Sequence, residues 1–294
     1  KGTYVAVGPR VQKRPVCGML GHVDPINYSI QTFLYAKLME SSIRQNVPTL
    51  TFPYLSGEEG LGIPGEMIRN CYKSREYDLK GIFILDTDHY LYGVELAKAF
   101  PEIRFFLLSY ERDDFHNMPE NMAAVITDNY SGSYRLAERV AERYHPKTMT
   151  YILSPLKEHD ITYQERERGF LTLAKDRGIK VTPSVIVPRS SYLPDQIDFA
   201  YEAFRKFLKT RKTDFVFSAN DQFAIGAKKA IDELGLGDKI KVVGNGGLNP
   251  PKEWLAATAI SQYAEICETG LQEMLNPEFK MPNVLKIQQK TRRE

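Results

Sequence analysis

Short apolar runs without polar alternation recur along the whole chain, and most of them are followed by a segment with helical spacing. In the first half these runs are 15–20, 47–54, 81–85 and 104–108, separated by helical patterns at 30–46, around 67–71 and at 91–100. Continuous apolar runs of this length are typical of strands covered on both faces, as in a parallel sheet. The pattern therefore predicts an α/β fold.

The second half repeats this alternation. Predicted strands at 123–127, 149–153, 181–187, 215–217, 240–243 and 284–287 are interleaved with predicted helices at 130–144, 166–176, 197–208, 222–234 and 264–275. Two successive halves of this kind predict two parallel, doubly wound sheets with helices on both faces. No Pro/Gly-rich or low-complexity linker separates the halves. We therefore expect two lobes that share several chain crossings and a hinge.

Composition excludes several classes of protein. The chain has 39 basic and 37 acidic residues among 294, so its formal net charge of +2 does not favour nucleic-acid binding along the whole surface. Three widely separated cysteines do not form the even, dense set of a secreted disulfide framework, which indicates a reducing compartment such as the cytoplasm. No apolar run reaches the roughly 18 residues of a membrane span, and no signal peptide is visible at the start.

Polar side chains follow many of the predicted strands. Ligands of open α/β sheets bind beyond the carboxyl ends of the strands, so these residues are the candidate ligand contacts. They are Asp24, Asp86, Asp88, Tyr110, Glu111, Asp128, Asn220, Asp221 and Asn245. Carboxylates and amides can bind the hydroxyls of a polyol, Arg166 can orient them, and Tyr28 or Phe223 can cover an apolar sugar face.

A simpler interpretation competes at each of these positions. Asp128, Asn220 and Asp221 each precede a predicted helix and can serve only as N-caps. Arg166 lies on a charge-rich helix and can be a solvated surface residue, and 244–247 can be only a turn.

Catalytic and metal chemistry find no support in the sequence. The five histidines are scattered without metal-ligand spacing, and the glycine-rich stretch 56–62 contains acidic residues and lacks the Lys-Ser/Thr pair of a phosphate loop. No Gly-x-Ser-x-Gly elbow or Cys/His dyad is present. We therefore expect a ligand-binding protein that is not an enzyme and has neither a cofactor nor a metal.

Three motifs resemble those of the LacI-type sugar-responsive repressors. Residues 218–227, SANDQFAIGA, resemble the family's ANDxxAxGA signature; 166–170, RERGF, resemble its RxxGF motif; and 128–132, DNYSG, resemble its DNxxG crossover into the second lobe. The similarity is strong from 128 to 275 and looser before it. It implies a two-lobed fold of periplasmic-binding-protein type I, with ligand contacts from Arg166, Asn220 and Gln262 and with Asp128 beside them.

The same resemblance implies how the chain divides between the lobes. The first lobe would comprise 15–127 plus 262–281, and the second lobe 128–261 plus 282–294. Two positions depart from the family pattern. Asn245 stands where the family has an aspartate, and 24–28, DPINY, replaces the usual Asn-Pro-Phe-Phe after the first strand. These departures leave the sugar preference open.

The start of the chain carries a second resemblance. Residues 1–6, KGTYVA, are similar to the end of the wing in GntR-type winged helices. A wing end at 1–8, a linker at 9–14 and a LacI-type sensor follow the order of arabinose-repressor-like hybrid regulators. The resemblance implies a DNA operator bound through a preceding winged-helix domain, a homodimer on that operator, and a monosaccharide effector in the cleft. The alternatives are a solute-binding protein of sugar transport or chemotaxis, which would need an export signal, and an enzyme on the same scaffold.

Overall fold

A computed structural model describes residues 12–20, 30–53, 61–85, 89–155, 159–188, 190, 193–246 and 255–293. The strands are β1 (Arg14–Leu20), β2 (Thr49–Phe52), β3 (Tyr77–Ile84), β4 (Arg104–Ser109), β5 (Met122–Asp128), β6 (Thr148–Leu153), β7 (Lys180–Val181), β8 (Val185–Ile186), β9 (Phe215–Ser218), β10 (Lys241–Gly246), β11 (Ala257–Ile260), β12 (Asn283–Gln288) and β13 (Lys290–Arg293). The helices are α1 (Ile30–Arg44), α2 (Gly62–Lys73), α3 (Tyr90–Ala99), α4 (Asn129–Tyr144), α5 (Thr162–Asp176), α6 (Leu193–Leu208), α7 (Asp221–Glu233) and α8 (Tyr263–Leu275).

The first sheet has six strands in the order β12-β5-β4-β3-β1-β2, and all of its pairings are parallel. Successive residues of each central strand point to opposite faces, so the apolar runs fill two cores. On one face Ile82, Phe105 and Ala124 pack with α2 and α3. On the other face Phe83 and Phe106 pack with α1 and α8. Burial on both faces explains why these strands lack polar alternation.

The second sheet runs β13-β11-β10-β9-β6-β7, with β8 paired to β6. Its pairings are parallel except for β11 with β13, which is antiparallel. Helix α4 packs beside α5, and α6 beside α7. The rings of Tyr151, Phe170 and Phe217 pack against one another and join α5 to the sheet. The two-lobed, doubly wound α/β fold predicted from the sequence is confirmed.

Within the described residues, the chain crosses between the lobes three times. The first crossing joins β5 to α4, and the second joins β11 to α8, whose apolar side chains belong to the core of the first lobe. The third lies between β12 in the first sheet and β13 in the second. The assignment of 282–294 as a whole to the second lobe is therefore wrong. Residues 283–288 pair with β5, and Leu285 and Ile287 pack against the first lobe. The prediction failed because the sequence of a short apolar strand does not indicate which sheet the strand joins.

Several boundaries also differ from the sequence prediction. The predicted strand 181–187 is two short strands, β7 and β8, because Pro183 between them cannot donate to a ladder. Strands β11 and β13 were not expected. The predicted linker 9–14 overlaps β1, which begins at Arg14, and the predicted wing residues 1–8 lie outside the described residues. None of the described helices is both long and apolar enough to cross a membrane.

Candidate functional site

The carboxyl ends of the two sheets define the candidate site. In the first lobe, the segments that follow β1 and β3 contain the predicted contacts Asp24, Tyr28, Asp86 and Asp88, which lie outside the described residues. The predicted contacts Asp128, Arg166, Asn220, Asn245 and Gln262 are all described. They belong to the lobe crossings and to the adjoining edge of the second sheet.

Arg166 is a buried residue that links two elements of this edge. Its side chain lies in α5 and is 4% exposed. Its Nε donates to Oδ1 of Asn129 at 2.9 Å, and its Nη1 donates to the carbonyl oxygen of Ala219 at 2.7 Å. The interpretation of Arg166 as a solvated surface residue is therefore wrong. The guanidinium is fixed between the first crossing and the residue before Asn220.

Asn220 caps α7 and organises the neighbouring side chains. Its Oδ1 accepts from the backbone N–H of Phe223 at 2.8 Å, which is N-cap geometry. Its Nδ2 donates to the hydroxyl of Tyr163 at 3.0 Å and to Oε1 of Gln196 at 3.3 Å. The Tyr163 ring meets Phe223 edge-on with centroids 6.4 Å apart. Asn220 therefore caps α7 and at the same time belongs to a cluster of polar side chains.

Asp128 also combines two roles. Its Oδ1 accepts from the N–H of Ser131 at 3.1 Å and so caps α4. Its Oδ2 accepts from Nε2 of Gln288 at 2.6 Å, which joins the first crossing to the third. Asp221, by contrast, is buried and accepts from the hydroxyl of Thr258 in β11 at 2.8 Å, so it braces the interior of the second lobe.

Asn245 is fully buried where β10 meets the third crossing. Its Nδ2 donates to the hydroxyl of Ser133 at 2.9 Å, and its Oδ1 accepts from Nε2 of Gln289 at 3.0 Å. Both the amide nitrogen and the amide oxygen of Asn245 therefore form hydrogen bonds within the hinge. The interpretation of 244–247 as only a turn is wrong, because Asn245 belongs to β10. Gln262 precedes α8, and its Nε2 donates to the carbonyl oxygen of Ile260 at 3.0 Å. Contact of either residue with a ligand stays a prediction.

Glu111 completes the hinge network. It follows β4 and is 4% exposed. Its Oε1 accepts from Nζ of Lys286 in β12 at 2.6 Å, and its Oε2 accepts from Nδ2 of Asn129 at 3.2 Å. A continuous chain of hydrogen bonds thus runs from Lys286 through Glu111 and Asn129 to Arg166. The sequence marks Glu111 as a strand-end residue but gives no sign of these partners.

Backbone contacts join the loop after β4 to the segment before α5. The N–H of Ile161 donates to the carbonyl of Glu111 at 3.0 Å, and the N–H of Asp113 donates to the carbonyl of His159 at 3.2 Å. Oδ1 of Asp113 also lies 2.9 Å from Nδ1 of His159. The amino-terminal turn of α5, which carries Tyr163 and leads to Arg166, is therefore bonded directly to the first lobe.

Arg112 stiffens this loop from inside the first lobe. Its Nε and Nη2 donate to the two carboxylate oxygens of Asp114 at 2.8 and 2.7 Å, and its guanidinium lies 4.0 Å from the ring centre of Tyr90. Burial alone would raise the pKa of Asp114, but the hydrogen bonds and charge of Arg112 outweigh it and lower that pKa. Burial, with the nearby Asp114 carboxylate, raises the pKa of Tyr90 to about 12.

The glycines of the three sequence motifs are packing residues. A Cβ on Gly169 would collide with the backbone of α4 at Tyr130, and a Cβ on Gly226 would collide with the backbone of α6 at Ile197. A Cβ on Gly132 would overlap the side chain of Gln289. Each motif therefore pairs a polar side chain with a glycine that lets two segments approach closely. Across the described part of the chain, no group of three or more His, Cys, Asp or Glu side chains is placed to hold a metal ion.

Comparison with known proteins agrees with this geometry. A family model described as "Periplasmic binding protein domain" matches residues 107–265, more than half of the chain. The chain belongs to the periplasmic binding protein domain family. No curated protein sequence matches it.

Solved structures share the fold of this periplasmic binding protein domain over nearly its whole length. A periplasmic solute-binding protein of an ABC transporter from Actinobacillus succinogenes, solved with D-allose, has a TM-score of 0.73 at 15% identity, covering 96% of this chain and 98% of that one. A lac repressor dimer bound to operator and an anti-inducer has a TM-score of 0.70 at 16% identity, covering 96% and 93%. A LacI-family regulator from an Arthrobacter species, solved with lactose, has a TM-score of 0.67 at 12% identity, covering 96% and 98%.

Proposed function

We propose that this chain is the sugar-sensing, effector-binding part of a bacterial transcription regulator. A monosaccharide would bind between the lobes, and the change in lobe arrangement would alter how a dimer holds its DNA operator. The observation that carries the proposal is the double attachment of α5. One short stretch supplies Tyr163 and Arg166 to the candidate site and is also bonded to Glu111 of the first lobe.

This attachment explains how occupancy of the site could be transmitted. A ligand changes the lobe equilibrium only if it binds one arrangement more tightly than the other. Arg166 is held by Asn129, and Asn129 is held by Glu111. A ligand that competes for the Arg166 guanidinium therefore acts on the hydrogen bonds that connect the lobes.

The regulatory half of the proposal draws on the motifs and on the start of the chain. The LacI-like motifs at 128–132, 166–170 and 218–227 and the similarity in fold to two LacI-type regulators support a repressor-like sensor. The GntR-like residues 1–6 support an arabinose-repressor-like hybrid with a winged-helix DNA reader before the sensor. Such a regulator would act in the cytoplasm as a homodimer on a palindromic operator. It would have no catalytic role.

A solute-binding protein of sugar transport or chemotaxis is the second candidate. The similarity to the D-allose-binding protein favours it, because that match has a TM-score of 0.73. The gene decides between the two candidates. A reading frame that encodes a winged helix before residue 1 supports the regulator, and one that encodes an export signal overturns it in favour of the transport protein.

A thermal-shift screen tests the ligand class. The chain is heated with D-ribose, L-arabinose, D-allose, myo-inositol, lactose, sugar phosphates, amino acids and nucleosides. A ligand of the native state raises Tm by mass action, so stabilisation by a neutral sugar is expected. A response to amino acids or nucleosides alone would overturn the sugar assignment.

A further inference from the structure

Ser154 lies at the candidate site with a buried hydroxyl that has no partner. It follows β6 at the carboxyl edge of the second sheet, and it is 4% exposed. Strand β6 pairs in parallel with β9, with Ile152 opposite Ser218, so Ser154 reaches the level of Asn220. The N–H of Ala219 donates to the carbonyl of Ile152 at 2.9 Å, which continues this register to the edge. The Oγ of Ser154 makes no hydrogen bond.

Other buried hydroxyls of the second lobe are paired. Ser218 donates to the carbonyl of Asn220 at 2.7 Å, Thr258 donates to Asp221 at 2.8 Å, and Thr150 and Thr182 share a bond of 2.6 Å. Among the described residues, Oγ1 of Thr127 and Oε1 of Gln289 are further buried side-chain atoms without a partner. Thr127 lies in β5 of the first sheet and Gln289 lies in the third crossing, so neither belongs to the β6 and β9 strand ends that carry Ser154 and Asn220. A buried hydroxyl without a partner is costly, so its presence at this edge calls for an explanation.

We propose that Ser154 is a ligand-contacting residue that exchanges a hydrogen bond with one hydroxyl of the bound sugar and helps to set specificity. The assignment rests on the proposed function. The polar atoms of neighbouring Asn220 are already engaged by Tyr163, Gln196 and Phe223. The Ser154 hydroxyl, in contrast, can both donate and accept, which matches a sugar hydroxyl in either direction.

Two matched variants separate ligand contact from structural support. Ser154→Ala removes the unpaired hydroxyl, and Ser218→Ala removes a buried hydroxyl of the same sheet edge that is paired internally. Binding of D-allose, D-ribose, L-arabinose, myo-inositol and lactose is measured by isothermal titration calorimetry for the unaltered chain and both variants. The Tm of each is measured without ligand.

We expect Ser154→Ala to lose about tenfold in sugar affinity while its ligand-free Tm stays equal or rises, because nothing within the protein is left unpaired. Ser218→Ala should lower the Tm instead. Removing the one sugar hydroxyl that pairs with Ser154, in a series of monodeoxy analogues, should weaken binding to the unaltered chain but not to Ser154→Ala.

Three results would count against the assignment in distinguishable ways. Equal affinity of Ser154→Ala and the unaltered chain for a sugar that binds overturns the role of Ser154 and leaves the proposed function standing. A fall in ligand-free Tm as large as that of Ser218→Ala shows that the hydroxyl is structural. If the unaltered chain binds none of the five compounds, the proposed function fails and the assignment fails with it.

Discussion

Nε of Arg166 lies 2.9 Å from Oδ1 of Asn129, the first residue of α4 after the chain has crossed between the lobes. The amide of Asn129 is held in turn by Glu111 and by the carbonyl of Thr127. A side chain predicted from sequence as a ligand contact is thus part of the hinge. Under the proposed function, ligand recognition and lobe coupling would share one guanidinium, and substitutions there should affect both.

Arg166→Ala is expected to lower ligand affinity and stability together. The change leaves two buried acceptors, on Asn129 and Ala219, without their charged donor, and hydrogen bonds to charged groups contribute about 1.5–3 kcal/mol each. Urea denaturation should show a loss of at least about 2 kcal/mol, and titration with the sugar identified in the screen should show at least a tenfold fall in affinity. Arg168→Ala is the control, because its ion pair with Glu165 is exposed on the Arg168 side and should matter little. An Arg166→Ala protein as stable as the control would contradict the hinge role.

Glu111→Ala is expected to loosen the attachment between the lobes. The buried carboxylate serves both Lys286 and Asn129, so its loss should cost about 1.5–3 kcal/mol of stability. Lys37→Ala is the control and should cost about 1 kcal/mol or less, because both sides of its ion pair with Glu40 are exposed. In small-angle scattering, ligand-free Glu111→Ala should have a larger radius of gyration than the unaltered chain. Identical scattering and equal losses of stability in both variants would contradict the role of Glu111 in attaching the lobes.

Gly169→Ala and Gly226→Ala test whether the motif glycines serve packing. Each added methyl group would collide with the backbone of a neighbouring helix, and overpacking of this kind costs typically about 1–3 kcal/mol. The Tm should therefore fall in both variants, while the protein that remains folded keeps its sugar affinity. Gly178→Ala is the comparison, because Gly178 has a positive φ but open space around it. A smaller loss at Gly169 than at Gly178 would contradict the packing role.

The lowered pKa of Asp114 predicts that the protein loses stability in acid. Its folded-state pKa lies below the value of about 3.9 for an unfolded aspartate, so its contribution is full above that pH and is lost as the pH falls through the folded pKa. Asp114→Asn should therefore lower Tm at neutral pH, and the difference from the unaltered chain should shrink as the pH falls below about 3.9. A Tm difference that stays constant over this range would show that ionisation of Asp114 does not contribute.

The three thiols are expected to be unreactive in the native state. Cys17 and Cys267 are fully buried, and burial raises the pKa of each to about 12; burial also raises the pKa of Cys71. The thiolate is the reacting form, so both access and ionisation are suppressed. A chromogenic disulfide reagent should label none of them rapidly at neutral pH and all three after unfolding in urea. Rapid labelling of the native chain would contradict this burial.

The sequence correctly predicts the strands that consist of continuous apolar runs. The central strands of the first sheet are examples, because burial on both faces leaves only apolar residues at 82–84 in β3 and at 105–108 in β4. Strand β13 was missed because Lys290, Arg292 and Arg293 read as polar chain, and it forms by pairing with β11. Strand β11 is only four residues long, and its small side chains give a weak signal.

The candidate site was likewise only partly predictable from the sequence. Motif and strand-end position were enough to select Arg166, Asn220 and Asp128, which lie at the hinge and the adjoining sheet edge. Tyr163 was missed because α5 was expected to begin at Arg166, whereas it begins at Thr162. Asp160, whose Oδ1 accepts from the N–H of Thr162 at 3.0 Å, is the signal that could have revealed the earlier start. The partners of Glu111 come from β12 and α4, 175 and 18 residues away, and no local pattern encodes them.

The three crossings also constrain how the chain can fold during synthesis. The first sheet takes its edge strand β12 from residues 283–288, and one of its two cores requires α8. Until those residues leave the ribosome, β5 is an unpaired edge, and the apolar side chains that α8 covers stay exposed. A nascent first lobe is therefore incomplete and prone to association, whereas most of the second lobe, 129–261, emerges as one segment. The first lobe, most of which is synthesised before the second, is therefore among the last parts of the protein to be finished.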